Sequence, residues 1–84
     1  MRRLLAGHES AERFDLLLSL TSIRSEGIQA AVRDHLVNGH AVASAAALNG
    51  ELDKNVRRAI ATLEQVADIV EKIKEIDWAK HSVK

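Results

Sequence analysis

Hydrogen-bonding side chains are concentrated near the middle of the chain, at Lys54, Asn55, Arg57 and Arg58. Lysine and arginine can reach phosphates or guanine edges, and asparagine can pair with adenine through two hydrogen bonds. These residue types within one helical stretch are typical of a surface that contacts DNA. We predict that these residues lie on the outer face of a helix and touch the duplex.

His40 and Ser44 lie upstream, at the start of an alanine-rich segment. Backbone amides at a helix N-terminus attract phosphate groups. If the segment is helical, its first turn and these two side chains are candidates for contacts to the DNA backbone.

The histidines do not form a metal-binding pattern. His8, His35, His40 and His81 include no pair at i and i+4 on one predicted helix, and the chain has no cysteine. Thiolate ligands and a cysteine nucleophile are therefore excluded, and no glycine-rich phosphate loop is present. His35 is expected at the edge of the core and His40 at a helix cap. We predict no metal site, no cofactor, no small-molecule ligand and no enzymatic activity.

The spacing of Ala46, Gly50 and Val56 is that of a helix-turn-helix over about residues 41–63. Ala46 is small enough for a second helix to cross over it, Gly50 allows a positive φ in the turn, and Val56 fills the angle between the helices. Ala-x-x-x-Gly spacing is also common in alanine-rich helices, where Val56 would be ordinary core. The order of elements around the turn favours the motif.

One position departs from this pattern. Glu51 follows the turn glycine, where an apolar residue is usual, so a one-residue adjustment of the turn is expected to bury Leu52 instead. Glu51 and Asp53 also lower the local positive charge, because residues 41–63 contain three cations and two anions.

Helical spacing recurs along the chain, and no convincing strand pattern is present. Ser10 and Ser25 precede the first two predicted helices, and Asp53 is predicted to be the N-cap of the last. Asn-Gly pairs at residues 38–39 and 49–50 are helix stops. We predict an all-α fold, a small helical bundle that contains the helix-turn-helix, as a single domain over residues 1–84.

The last helix is predicted over residues 53–80 and would be about 40 Å long. Its core-facing stripe consists of Val56, Ile60, Leu63, Ala67 and Val70. A second apolar stripe is rotated by roughly 120° from the first and consists of Val66, Ile69, Ile73 and Ile76. This second stripe is predicted to be an oligomer interface, or else to fold back on the first helix.

The charge balance is neutral, with 12 Lys+Arg against 12 Asp+Glu. Any attraction to DNA must therefore be local rather than a property of the whole chain. No apolar run is long enough to span a membrane, and no secretory signal is recognisable, so we expect a cytoplasmic protein without membrane contact. Arg2 and Arg3 could form an arm that reaches the minor groove, or else a frayed terminus.

Residues 14–18, 21–25 and 31–40 read Phe-Asp-Leu-Leu-Leu, Thr-Ser-Ile-Arg-Ser and Ala-Val-Arg-Asp-His-Leu-Val-Asn-Gly-His. These blocks resemble the PapB-type adhesin biosynthesis regulators, small bacterial transcription factors of fimbrial operons. In that family a helix ending in Leu-Val-x-Gly-x leads into a helix-turn-helix. Residues 36–60 are also similar to plasmid repressors of the TrfB (KorA) type.

Both resemblances imply sequence-specific binding of double-stranded DNA by homodimers or higher homo-oligomers. The first also implies control of a fimbrial operon. Carried over by position, Lys54, Asn55, Arg57 and Arg58 fall on the recognition helix, and His40 and Ser44 fall at the start of the supporting helix. A dimer would place two recognition helices about 34 Å apart along the DNA.

The alternative is a helical protein–protein interaction module or co-regulator that does not bind DNA itself. The neutral charge favours this alternative. A convergence of the cations on one face would favour DNA, and a scattered arrangement would favour the alternative; the cations are Lys54, Arg57, Arg58, Arg24 and Arg33.

Overall fold

The chain folds into α-helices joined by short turns. The computed structural model describes residues 4–82, with side chains up to residue 80. The helices are α1 (Ala11–Ser19), α2 (Glu26–Leu36), α3 (Val42–Leu48) and α4 (Asp53–Ser82). No strand occurs within residues 4–82, and the predicted all-α class is confirmed.

Serine side chains begin the first two helices, as the sequence predicts. Ser10 Oγ accepts the Arg13 amide at 3.1 Å, and Ser25 Oγ accepts the Ile28 amide at 3.3 Å. Each bond satisfies one of the backbone donors that the first turn of a helix leaves unpaired. These caps fix where α1 and α2 start.

The two Asn-Gly pairs follow the ends of α2 and α3. Gly39 has φ +85° and Gly50 has φ +66°, a conformation that residues with a Cβ adopt only at a cost. Both glycines therefore turn the chain sharply, and α3 is confined to the short span between them.

Asp53 is the first residue of α4 rather than its N-cap, so this prediction is wrong by one residue. The Leu52 carbonyl accepts the Asn55 and Val56 amides at 3.0 and 3.2 Å, which places Leu52 at the N-cap. The Asp53 carboxylate accepts a hydrogen bond from Arg57 at 2.5 Å instead.

The core draws side chains from all the helices. Its largest fully buried members are Phe14, Val32, Leu36, Val56 and Leu63. The buried residues of α3 are the alanines Ala45 and Ala46, which allow α2 and α4 to approach it closely, and Val42 packs at the edge of the core. The predicted core-facing stripe of α4 is confirmed at Val56, Leu63 and Ala67, while Ile60 and Val70 are partly buried.

The segment ahead of α1 packs against the end of α2. The Gly7 amide donates to the His35 carbonyl and the Glu9 amide to the Leu36 carbonyl, both at 3.0 Å. Leu4 is buried, and its amide donates to Glu64 of α4 at 2.6 Å. This segment thus connects the end of α2 to the middle of α4.

The molecule is elongated, measuring 53 × 22 × 22 Å along its principal axes. The length comes from α4, whose 30 residues continue beyond the part that packs on the other helices. Every α4 residue from Lys72 to Lys80 is exposed.

Candidate nucleic-acid interface

The α3–α4 pair has the features that the helix-turn-helix pattern requires. Ala46 is buried where α4 crosses α3, and Val56 is fully buried. The Glu51 amide donates to the Ala46 carbonyl at 2.9 Å and closes the turn. No other atom lies within 4 Å of the position where a Cβ on Gly50 would be, so the backbone conformation alone requires glycine there.

Asp34 holds this turn in place from α2, a role that the sequence did not suggest. Its carboxylate accepts the Asn49 side-chain amide at 2.8 Å and the Asn38 side-chain amide at 2.9 Å. Asn49 also donates to the Ala45 carbonyl at 2.8 Å. The hydrogen bonds from Asn49 and Asn38 lower the pKa of Asp34, an effect that outweighs desolvation, and the positive charge of protonated His40 lowers it further.

The residues predicted to lie on the recognition helix do not all share one face. At 100° per residue, Lys54 and Arg58 lie opposite the buried Val56 and Leu63, and both are exposed. Arg57 lies on one flank of this outer face and Asn55 on the other. The helix therefore presents Lys54 and Arg58 most directly outward.

The two flanking residues line separate clefts. Arg57 borders a cleft of about 450 Å³, together with Leu4, His35 and Val42. Asn55 and Arg58 border a smaller cleft of about 220 Å³, opposite Ile23 and Ile28. Asn55 is half-buried and is thus the predicted contact residue that stands furthest from the outer face.

At the start of α3, the His40 amide is already in use. It donates to the Asp34 carbonyl at 3.0 Å, and His35 Nδ1 lies 2.7 Å from the His40 carbonyl oxygen. The His40 and Ser44 side chains are exposed. These two side chains remain available to a phosphate, whereas the His40 amide does not.

The expected burial of Leu52 is wrong: 61% of it is exposed. The Glu51 carboxylate occupies the space where a Cβ on Gly27 would lie, at the start of α2. The turn therefore keeps its usual register, and a long acidic side chain fits after the turn glycine because α2 has a glycine opposite it.

The cations do not all converge on one face. Arg33 pairs with Asp15 of α1, and its guanidinium carbon lies 5.0 Å from the centre of the Phe14 ring. Arg24 donates to the Thr21 and Ile23 carbonyls at 3.3 and 3.4 Å. Arg33 is thus held against α1 and away from Lys54, Arg57 and Arg58 of α4. Arg24 is closer to these cations in the fold, because the preceding residue, Ile23, lines the same cleft as Arg58.

The second stripe of α4 is largely uncovered within the described chain. Ile69, Ile73 and Ile76 are 57%, 52% and 59% exposed. Leu20 at the end of α1 lines a groove of about 280 Å³ together with Val66 and its neighbours. The helix does not fold back on α1, because α4 is continuous from Asp53 to Ser82.

Two further features are absent from the described residues. No group of three or more His, Cys, Asp or Glu side chains there could hold a metal ion. None of the helices formed by these residues is long and apolar enough to cross a membrane. The predicted arm at Arg2 and Arg3 lies outside the described residues.

Comparison with known proteins gives one informative likeness. No protein-family model and no curated protein sequence matches the chain. The crystal structure of Escherichia coli FocB is similar with a TM-score of 0.81 and 25% sequence identity, over 87% of this chain and 83% of FocB. FocB is a PapB-family fimbrial regulator. The chain therefore shares the fold of FocB, and the likeness supports the PapB-type resemblance of the sequence.

Proposed function

We propose that the protein is a sequence-specific DNA-binding transcriptional regulator of the PapB type. The observation that carries this proposal is the helix-turn-helix with exposed Lys54, Arg57 and Arg58 on a fold shared with FocB. The first turns of α4 would enter the major groove, where cationic side chains reach guanine edges and phosphates. Control of a fimbrial operon is part of the proposal and is supported by the same likeness.

The regulator is proposed to act as a homodimer or higher oligomer. Val66, Ile69, Ile73 and Ile76 of one chain would pack against the same stripe of another. Apolar side chains exposed in a row on a helix favour association because pairing removes them from water. Two joined copies would place two recognition helices on one operator.

An electrophoretic mobility-shift selection from a random duplex pool tests the DNA proposal. At about 50 mM salt even non-specific contacts to DNA are strong, so a DNA-binding protein should shift duplexes under this condition. The wild-type protein is expected to enrich a discrete site. The variant Arg57→Ala/Arg58→Ala should bind that site at least tenfold more weakly, since each lost base contact costs about 1–3 kcal/mol.

Lys72→Ala/Lys74→Ala is the charge-matched control. These lysines pair with Asp68 and Glu71 on the exposed half of α4, far from the turn, so this variant should bind like wild type. If wild type shifts no duplex, the DNA proposal is wrong, and a protein-binding module becomes the alternative. If both double variants lose affinity equally, the recognition surface is not the one proposed.

A further inference from the structure

The second stripe of α4 begins in a groove and ends on an exposed helix face. Leu20, at the end of α1, lines the groove together with Val66, Ile69, Val70 and Ile73. Ile76 lies about 15 Å further along α4 than Val66, beyond the residues that line the groove, and 59% of it is exposed. The same chain therefore carries an apolar recess and, further along the same stripe, an exposed apolar side chain.

The position of Leu20 is fixed by the end of α1. The Leu20 amide donates to the Leu17 carbonyl at 3.0 Å. Thr21 closes the same turn, because its amide and its Oγ1 donate to the Leu18 carbonyl at 3.0 and 2.8 Å. Although the backbone is held in this way, 63% of Leu20 is exposed. Its side chain thus contributes little to the core of the single chain and instead forms the α1 wall of the groove.

The groove and its flank fit a second copy of this chain. Every residue that lines the groove is apolar. On the side of the stripe away from α1, Lys72 is paired with Asp68 at 3.2 Å, so these two charges are balanced within one chain. A surface that meets its own copy across a two-fold axis must avoid unbalanced charge, because like charges would otherwise face each other. A strongly acidic or basic partner would find no complementary charge in the groove.

The exposed area is also of the size that association of two copies requires. Four large side chains that are each more than half exposed form this surface, and they are Leu20, Ile69, Ile73 and Ile76. Together they present about 400 Å² of apolar surface. A stable interface buries about 800 Å² per partner, a little over half of it apolar. Leu20 of α1 is therefore needed to bring the apolar area of the stripe close to this value.

The direction of the second helix follows from where the recess and the exposed side chain lie. In an antiparallel pair of α4 helices that cross near the middle of the stripe, Ile76 of the partner subunit lies beside Leu20 and Val66. In a parallel pair each residue of the stripe meets its own equivalent, and the groove at Leu20 stays open to water. Because burial of apolar surface drives association, the antiparallel direction is favoured.

We propose that two copies associate through antiparallel α4 helices, with Ile76 of the partner subunit packed against Leu20 and Val66. The two-fold symmetry of this arrangement fills both grooves at once. The proposal rests on the oligomerisation proposed above and deepens it, because it makes α1 part of the interface and fixes the direction of the second helix.

Cross-linking of cysteine variants tests the direction of the helices. The natural sequence has no cysteine, so each introduced thiol is unique. Leu20→Cys and Ile76→Cys, mixed in urea, refolded together and treated with bismaleimidoethane, should give a covalent dimer in denaturing electrophoresis. Ile76→Cys treated alone should give far less, because its two thiols would be about 15 Å apart along the helices. Leu48→Cys mixed with Ile76→Cys is the control, since Leu48 is 68% exposed on α3 and should not cross-link.

Affinity measurements test the contribution of α1. Leu20→Ala should weaken association at least tenfold in sedimentation equilibrium, because each dimer loses two buried leucine side chains. Leu48→Ala removes a similarly exposed leucine away from the groove and should associate like wild type. Since Leu20 is largely exposed in the single chain, Leu20→Ala should keep the unfolding midpoint of the monomer in urea.

The possible failures are distinguishable. If Ile76→Cys alone cross-links better than the mixture with Leu20→Cys, the helices are parallel and the proposal is overturned, although the stripe remains an interface. If Leu20→Ala associates as tightly as wild type, α1 is not part of the interface, which also overturns the proposal. If wild type is monomeric at every concentration, the proposed oligomer fails and this arrangement fails with it. DNA binding is measured separately by mobility shift and decides neither outcome.

Discussion

At the scale of single residues, Asp34 is the link between α2 and the turn. One carboxylate accepts side-chain amides from both Asn38 and Asn49, which lie on either side of α3. Removal of the carboxylate would leave two amide donors without this partner and would free the end of α3 from α2. Asp34 therefore helps to position the turn that precedes α4, the proposed recognition helix, without belonging to that helix.

We expect Asp34→Ala to lower the free energy of unfolding by about 1 kcal/mol at pH 7, because hydrogen bonds to charged groups are lost. In the folded state the pKa of Asp34 lies below 3.8, its ordinary value. Its stabilising contribution is thus present above the unfolded-state pKa and is lost as the pH falls through the lower folded-state pKa.

Urea unfolding of wild type and Asp34→Ala at pH 7 and at pH 3 measures both effects. The difference between the two proteins should shrink at pH 3. Asp77→Ala, an exposed acid on the far half of α4, is the control and should stay within about 0.5 kcal/mol of wild type. An equal Asp34→Ala difference at both pH values would contradict the prediction.

At the scale of elements, helix boundaries were predictable because they depend on local chemistry. Ser10, Ser25 and the Asn-Gly pairs act on neighbours within a few residues, and the structure confirms them. The burial of Leu52 was predicted wrongly because the place of Glu51 depends on Gly27, which is distant in sequence. The hydrogen bond between Asn49 and Asp34 could not be predicted for the same reason. In the sequence, the Asn-Gly pair at residues 49–50 indicates only the end of a helix.

The Gly27–Glu51 contact leads to a prediction about α2. In a helix, alanine is favoured over glycine by about 1 kcal/mol, but a Cβ on Gly27 would displace the Glu51 carboxylate. Gly27→Ala should therefore stabilise the protein clearly in a Glu51→Ala background and much less in wild type.

A double-mutant cycle by thermal or urea unfolding measures this coupling. Leu48→Ala, which changes an exposed residue on α3, replaces Glu51→Ala in a control cycle and should show no coupling with Gly27→Ala. Additive effects of Gly27→Ala and Glu51→Ala on the free energy of unfolding would show that the contact between the two residues does not affect stability.

At the scale of the whole molecule, α4 combines two surfaces on one continuous helix. Its first turns carry the proposed DNA contacts, and its exposed half carries the apolar stripe. The placement of the recognition residues on this helix was predictable in outline from the sequence. Their division between an outer face and two flanks follows only from which side of α4 the core covers.

Ile73→Lys tests the proposed oligomer interface. A charge in the centre of an apolar interface is costly to bury, so the variant should shift to monomer in sedimentation equilibrium at concentrations where wild type is a dimer. Its helix content and unfolding midpoint as a monomer should be retained, because Ile73 is 52% exposed.

Glu75→Lys adds a lysine at another exposed position on the same half of α4 and is the control. It should leave the association unchanged. A wild-type protein that is monomeric at high concentration, or an Ile73→Lys variant that still dimerises, would rule out the stripe as the interface.

The segment ahead of α1 limits how far the chain can be shortened while the helix-turn-helix stays folded. Its amides at Gly7 and Glu9 occupy carbonyls at the end of α2, which a helix terminus would otherwise leave unpaired. These amides should exchange with deuterium more slowly than those of an irregular surface segment. A minimal fragment that keeps the helix-turn-helix well formed must therefore include the segment from Leu4 onward. A fragment that starts at α1 would lose the hydrogen bonds that pair the carbonyls at the end of α2, just before α3.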